Sequence, residues 1–164
     1  MKIVGLTIGF LLFVFQVGTY AQSYRGIFPG KSTCRDVERI LNIKACGSSN
    51  VVYKSEEKDI TFFVLQERCE RLFQTQWNLP KNTIIGVIVS YKEPFPVGEF
   101  PLDLSKFEKT SGDAETYFAN ADKSISLSVS NDFLRSVWYL PSRADRTLVC
   151  LKHRKGASPR FALR

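Results

Sequence analysis

The period of apolar and polar residues changes several times along the chain, and each change marks an expected element. Val37, Ile40 and Leu41 fall on one stripe with Arg35, Glu38 and Arg39 turned away, which predicts a short amphipathic helix. Thr33 is its expected N-cap, Asp36 sits three residues on at the positive end of the dipole, and Asn42 is the expected stop. Val51–Lys54 and Ile60–Leu65 are β-rich runs around the polar stretch 55–59, and so predict a hairpin. Residues 66–76 are polar and receive no element, and 77–82 predict a turn. The run Thr83–Tyr91 is nearly all apolar, as expected for a central strand covered on both faces for part of its length. Pro94, Pro96, Gly98 and Pro101 predict a connector, and Leu102–Phe107 a helical turn. Three strands follow, at 115–119, 125–129 and 133–140, separated by turns at 120–123 and 131–132.

This order predicts an α+β fold with an antiparallel sheet of about six strands and the short N-terminal helix packed on one face. The strands form either one sheet or two tandem helix-plus-three-strand units, with halves at 25–93 and 102–150. The whole is expected to be a single domain over residues 22–151.

Residues 1–21 change that picture. Lys2, an apolar run from Ile3 to Val17 and a small-residue cluster ending at Ala21 read as a secretory signal peptide cut after Ala21. The competing reading is a retained N-terminal anchor. No other stretch is long and apolar enough to span a bilayer, so no span is expected in the mature chain. The expected location is periplasmic or secreted.

Export makes oxidation the default for Cys34, Cys46, Cys69 and Cys150. A hairpin turn centred between Glu57 and Lys58 would set Cys46 opposite Cys69, which predicts the bridge Cys46–Cys69. Cys34–Cys150 follows by elimination. No Cys-x-x-Cys spacing occurs, so no metal site is expected.

The net charge of +7 is concentrated at the ends. Lys2 lies in the leader, and Lys152, Arg154, Lys155, Arg160 and Arg164 lie in a basic, flexible tail over 152–164, which leaves residues 22–151 at about +1. The tail is a candidate for weak polyanion contact.

Chemistry-bearing motifs are few. Gly30-Lys31-Ser32-Thr33 imitates the end of a phosphate loop, but Arg25 stands where the full pattern requires glycine and no core strand precedes it. The helix cap accounts for the same residues, and no nucleotide or other cofactor is expected. The one histidine, His153, sits in the tail, so a nucleophile–histidine pair has no placed base. Asp103, Glu108, Asp113 and Glu115 are the carboxylates from which a hydrolase pair could be drawn. Trp77, Trp138 and Tyr139 read as core or rim residues, and Phe95-Pro96 and Phe100-Pro101 as pairs packed over a sheet edge.

The stretch Gly26-Ile27, Pro29-Gly30, Ser32-Thr33, Asp36-Val37-Glu38 and Leu41 resembles the opening of small bacterial envelope domains of the SmpA/OmlA outer-membrane-assembly lipoprotein type. With Cys46, Cys69, Trp77-Asn78, Pro80, Leu102-Asp103-Leu104 and Phe107, residues 25–150 resemble a family of exported bacterial proteins with that opening and a β-lactamase-inhibitor-like plan. The resemblance implies a binding or envelope-assembly role and carries over no catalytic residue. Two departures stand out: there is no lipid-attachment cysteine after the leader, and Cys34 occupies a position expected to be polar. The resulting expectation is a non-enzymatic exported module whose partner is an envelope or extracellular protein. The alternatives are a carboxylate hydrolase and a polyanion binder acting through the tail.

Overall fold

The computed structural model describes residues 23–73, 75–142 and 148–150. The leader, its cleavage site and the basic tail therefore lie outside the described residues. Among those described, no helix is long and apolar enough to cross a membrane.

Helix α1, Cys34–Leu41, forms where expected. Asp36 Oδ2 accepts hydrogen bonds from Thr33 N at 2.8 Å and Thr33 Oγ1 at 2.9 Å, and Asn42 ends the helix in the left-handed region at φ 53°. Val37 is buried and Leu41 packs against the core, while Ile40 stays exposed. The strands are β1 Asn50–Lys54, β2 Lys58–Val64, β3 Arg71–Leu72, β4 Thr75–Gln76, β5 Ile84–Pro96, β6 Glu108–Ser111, β7 Thr116–Ala119, β8 Ile125–Ser130 and β9 Phe133–Tyr139. A single antiparallel sheet runs in the order β1-β2-β5-β9-β8-β7-β6, and β3 and β4 make a separate two-stranded ribbon.

The expected halves are thus joined, because β5 pairs with β2 on one side and β9 on the other. The seventh strand, β6, has no apolar alternation (Glu-Lys-Thr-Ser, all exposed), which is why its sequence reads as loop. Strand β5 also outruns its expected end at Tyr91. Its pairing with β9 is interrupted between Ser90 and Phe95, so Pro94 falls in a bulge where its missing N–H costs no ladder bond.

Three layers of apolar packing position everything else. On one face, α1 and the turn at Tyr24–Ile27 cover Ile60, Phe62, Val87 and Val89. The same face of β8 and β9 is covered by the connector, with Phe95, Phe100, Leu102 and Phe107 against Leu127, Leu134 and Val137. Tyr91 and Tyr139 touch both clusters and form the seam between them. On the opposite face Leu65, Trp77 and Leu79 cover Ile85, so the start of β5 is buried on both sides. Gly86 makes room there: a Cβ on it would lie 2.9 Å from Phe73 Cε2, and that ring packs edge-on to Phe63 at 4.7 Å.

The disulfides correct the expected pairing of Cys46–Cys69 and Cys34–Cys150. The observed bridges are Cys34–Cys46, with Cα atoms 5.1 Å apart, and Cys69–Cys150, at 5.7 Å. Two causes act together. The hairpin turn is centred one residue earlier, between Glu56 and Glu57, with Ser55 N donating to Lys58 O, so the pairing register shifts by two and Lys54 pairs with Asp59. The strands also do not extend to the cysteines. Before Ser49 the chain folds back on α1, where the Glu38 carboxylate accepts from the backbone N–H of Ala45 and of Cys46, both at 2.9 Å. After Val64 it leaves along Thr83, with Leu65 N donating to Thr83 O. Cys69 then meets the segment 148–150, which is also held by Asn78 N donating to Leu148 O and Cys150 N donating to Gln76 O. Two bridges of this kind belong to folding in an oxidising environment.

A digest of the unreduced protein is expected to yield Cys34 joined to Cys46 and Cys69 joined to Cys150; a Cys46–Cys69 peptide contradicts the fold. Replacing Cys69 and Cys150 together should cost about 4–5 kcal/mol of unfolding free energy, against about 3 kcal/mol for Cys34 and Cys46, because the longer loop loses more closure entropy.

Candidate functional site

The lead-in to α1 makes a two-residue turn. Tyr24 and Ile27 exchange backbone hydrogen bonds at 3.1 and 2.9 Å, and Arg25 (φ 49°) and Gly26 (φ 79°) both take left-handed conformations. The turn drives Tyr24 and Ile27 into the core and leaves Arg25 outside, its guanidinium carbon 5.7 Å from the Tyr24 ring centre. Beside it lies the closed end of the β1–β2 hairpin. Together they line a pocket of about 290 Å³ formed by Arg25, Tyr53, Ser55, Glu56, Glu57, Lys58 and Ile60. Ile60 is its buried apolar element and the Tyr53 ring adds a half-buried aromatic one, while two cations and two carboxylates supply the charge. Ser55 is committed to the turn: its Oγ donates to Lys58 O at 2.8 Å and accepts from Lys58 N at 3.2 Å. Lys92 Nζ clamps the same turn from β5, donating to Ser55 O at 2.6 Å and lying 3.7 Å from Asp59 Oδ1.

Beneath the Tyr24 turn lies a group of phenols. Tyr24 and Tyr139 have ring centres 6.1 Å apart, and Tyr91 packs edge-on to Phe95 at 4.9 Å. Burial pushes Tyr139 up to about 12, with Tyr91 and Tyr24 adding to the effect. Burial also raises Tyr91, reinforced by Tyr24, and raises Tyr24 itself against the pull of Arg25. The Tyr24 hydroxyl is buried and meets no hydrogen-bond partner among the described residues. These groups hold their protons at neutral pH, so they supply packing and hydrogen-bond donors and no base.

The four carboxylates expected as hydrolase candidates differ in their partners. Asp103 Oδ1 accepts from Ser105 Oγ at 2.6 Å and Ser105 N at 3.2 Å, and Oδ2 lies 3.3 Å from Lys106 Nζ. Glu108 faces Lys123 at 3.4 Å. Glu115 accepts from Ser128 Oγ at 2.7 Å and Tyr117 Oη at 2.8 Å. Asp113 is exposed on the β6–β7 turn. The Ser105 hydroxyl, chiefly, holds Asp103 below the ordinary carboxylate range, and Ser128 and then Tyr117 do so for Glu115. Both carboxylates thus serve here as hydrogen-bond acceptors in their ionised form.

Gly30 to Cys34 form no phosphate cradle. Gly30 N donates to Ile84 O, Lys31 N and Ser32 N to Phe28 O, Thr33 N to Asp36 Oδ2 and Cys34 N to Asn82 O. Every amide that a phosphate would need is already committed. All four cysteines are bridged, and no group of His, Cys, Asp and Glu among the described residues is placed to hold a metal. Trp77 is buried with Nε1 donating to Leu72 O at 3.1 Å, and Trp138 Nε1 donates to Ser136 Oγ at 3.0 Å. Lys152, Arg154, Lys155, Arg160 and Arg164, with His153, lie outside the described residues.

Sequence reasoning did not single out the pocket residues. Glu56, Glu57 and Lys58 read as an ordinary polar turn, and residues 22–31 read as an irregular lead-in with nothing to say which strand end they dock beside. Comparison with models of protein families, with curated proteins and with solved structures gives no match.

The raised Tyr139 phenol predicts an alkaline weakness. A group whose pKa is raised on folding stabilises fully below its unfolded value, near 10, and loses that contribution as pH rises toward 12. Unfolding free energy should therefore fall between about pH 10 and 12, and Tyr139→Phe should flatten the decline while keeping the ring. Tyrosinate absorbance would check this: titration of every tyrosine together near 10 contradicts the burial.

Proposed function

We propose that this chain is an exported, non-enzymatic interaction domain whose partner is an envelope or extracellular protein. The observation that carries the reading is the composition of the hairpin-end pocket. Arg25 and Lys58 stand beside Glu56 and Glu57 around the Tyr53 ring and Ile60, so cations, acceptors and apolar surface are offered within one concavity of about 290 Å³. That mixture suits side chains of a polypeptide, which present both charges and apolar groups at short spacing. Recognition chemistry is present there without an activated nucleophile: the one hydroxyl of the turn, on Ser55, is tied to the Lys58 backbone. Cross-linking by two disulfides suits a binding domain that works outside the reducing cytosol. The resemblance of residues 26–41 to envelope-assembly domains supports the same reading.

A photo-crosslinking residue placed at Glu56 tests it. Exposed to the envelope and extracellular fractions of its source cells, the chain should give a discrete protein adduct. Arg25→Glu and Lys58→Glu should each weaken that adduct by about 5-fold or more, as expected for residues that anchor a contact. The same adducts at the same yield from all three proteins would overturn the assignment of the pocket.

A further inference from the structure

The seven-stranded sheet ends in two edges, and they are built differently. At one end β6 is four exposed residues, Glu108 to Ser111. Glu108 faces Lys123, and the Lys109 ammonium lies 5.8 Å from the Phe118 ring centre. Charge and brevity are the usual means of keeping a strand edge from pairing with another chain. At the other end β1 reads Asn-Val-Val-Tyr-Lys, with no proline, no bulge and one charge, at its last residue.

The β1–β2 register shows which backbone groups face outward. Ser49 O accepts from Val64 N and Ser55 N donates to Lys58 O, so the alternation turns Val51 and Tyr53 toward β2. The N–H and C=O groups of Asn50, Val52 and Lys54 therefore point away from the sheet. Among the described residues none of them has a backbone partner. Val52 is also 49 % exposed on the sheet face opposite α1, so apolar surface lies beside the outward backbone groups of this edge.

We propose that this edge binds a second copy of the same chain, β1 against β1 in antiparallel pairing about a two-fold axis at Val52. The sequence of the strand suits that occupant. With Val52 opposite Val52, Asn50 lies opposite Lys54 at both ends, so each outward donor meets an outward acceptor and no like charges oppose each other. Val51 and Tyr53 then pair across the junction on the α1 side, an apolar residue against an aromatic one, while the two Val52 side chains cover each other on the opposite face. The two sheets become one continuous sheet with charged β6 strands at both ends. The inference concerns strand pairing and does not depend on the pocket reading.

Five residues bury little surface, so association belongs to the weak class, with dimer forming at roughly 10–100 µM. Sedimentation of the oxidised, exported chain over about 1–500 µM should show a reversible monomer–dimer equilibrium of that range. Backbone amides of Asn50, Val52 and Lys54 should slow in hydrogen exchange as the concentration rises. Val52→Pro removes an outward N–H and leaves the β1–β2 ladder intact, and should weaken dimerisation by at least about 10-fold. Val52→Lys keeps the backbone donor but sets like charges opposite each other, and should do the same. Lys109→Pro, on the other edge, should leave the equilibrium unchanged. Both disulfides and the far-ultraviolet spectrum report whether each variant is folded. A chain that remains monomeric to the highest concentration, or a dimer equally stable in both Val52 variants, overturns the proposal; so does protection of these amides only when another protein is added, which gives the edge to a different partner.

Discussion

Strand β5 carries the constraint on which the remaining structure depends: it must pair on both edges and be covered on both faces at once. Ile84, Ile85 and Val87 are buried, and each belongs to an apolar cluster on one side of the sheet or the other. Gly86 lies between them because Phe73 needs the space that a side chain would fill. With β2 on one edge and β9 on the other, β5 is also, among the described residues, the link by which the first hairpin and the later meander share a sheet. The segments outside the sheet are arranged around it: α1 and the Tyr24 turn above, residues 65–79 below, and the connector 95–107 over its far neighbours.

Covering segments of this kind are short, and their own helix or strand propensity cannot hold them. Helix α1 spans eight residues and the β3–β4 ribbon has two residues in each strand, both well short of what is stable alone in water. Each disulfide fixes one of them. Cys34–Cys46 holds the start of α1 to the loop leading into β1, and Cys69–Cys150 ties the lower segment to the chain after β9. The hairpin-end pocket follows from the same arrangement, since it exists only where the Tyr24 turn is held beside the hairpin end.

Much of this is legible in the residues. Thr33, Asp36 and Asn42 define α1 at both ends, the apolar run at 83–91 shows a strand covered on both faces, and the alternation of Ile125–Val129 marks a strand, although Ser128 on its polar face is buried as well, its hydroxyl donating to Glu115. What escapes is long-range geometry. The bulge that lets β5 pass Pro94 depends on β9, and the polar edge strand β6 is defined only by pairing with β7. The cysteine pairing fails for a related reason: a one-residue difference in turn position shifts the register by two and so leaves the apolar face unchanged, and the hydrophobic pattern does not detect it. The pocket was hidden because its charges are ordinary turn residues until Arg25 arrives from a segment some thirty positions away.

The central claim is that β5 joins both halves into one cooperative unit, and native-state hydrogen exchange tests it most directly. Amides of β5 should exchange only through global unfolding, and those of β2 and of β9 that bond to it should share the same opening free energy. They should fall together as denaturant is added. Two distinct opening energies, with β1 and β2 in one class and β8 and β9 in the other, would mean that the halves unfold separately and would contradict the account.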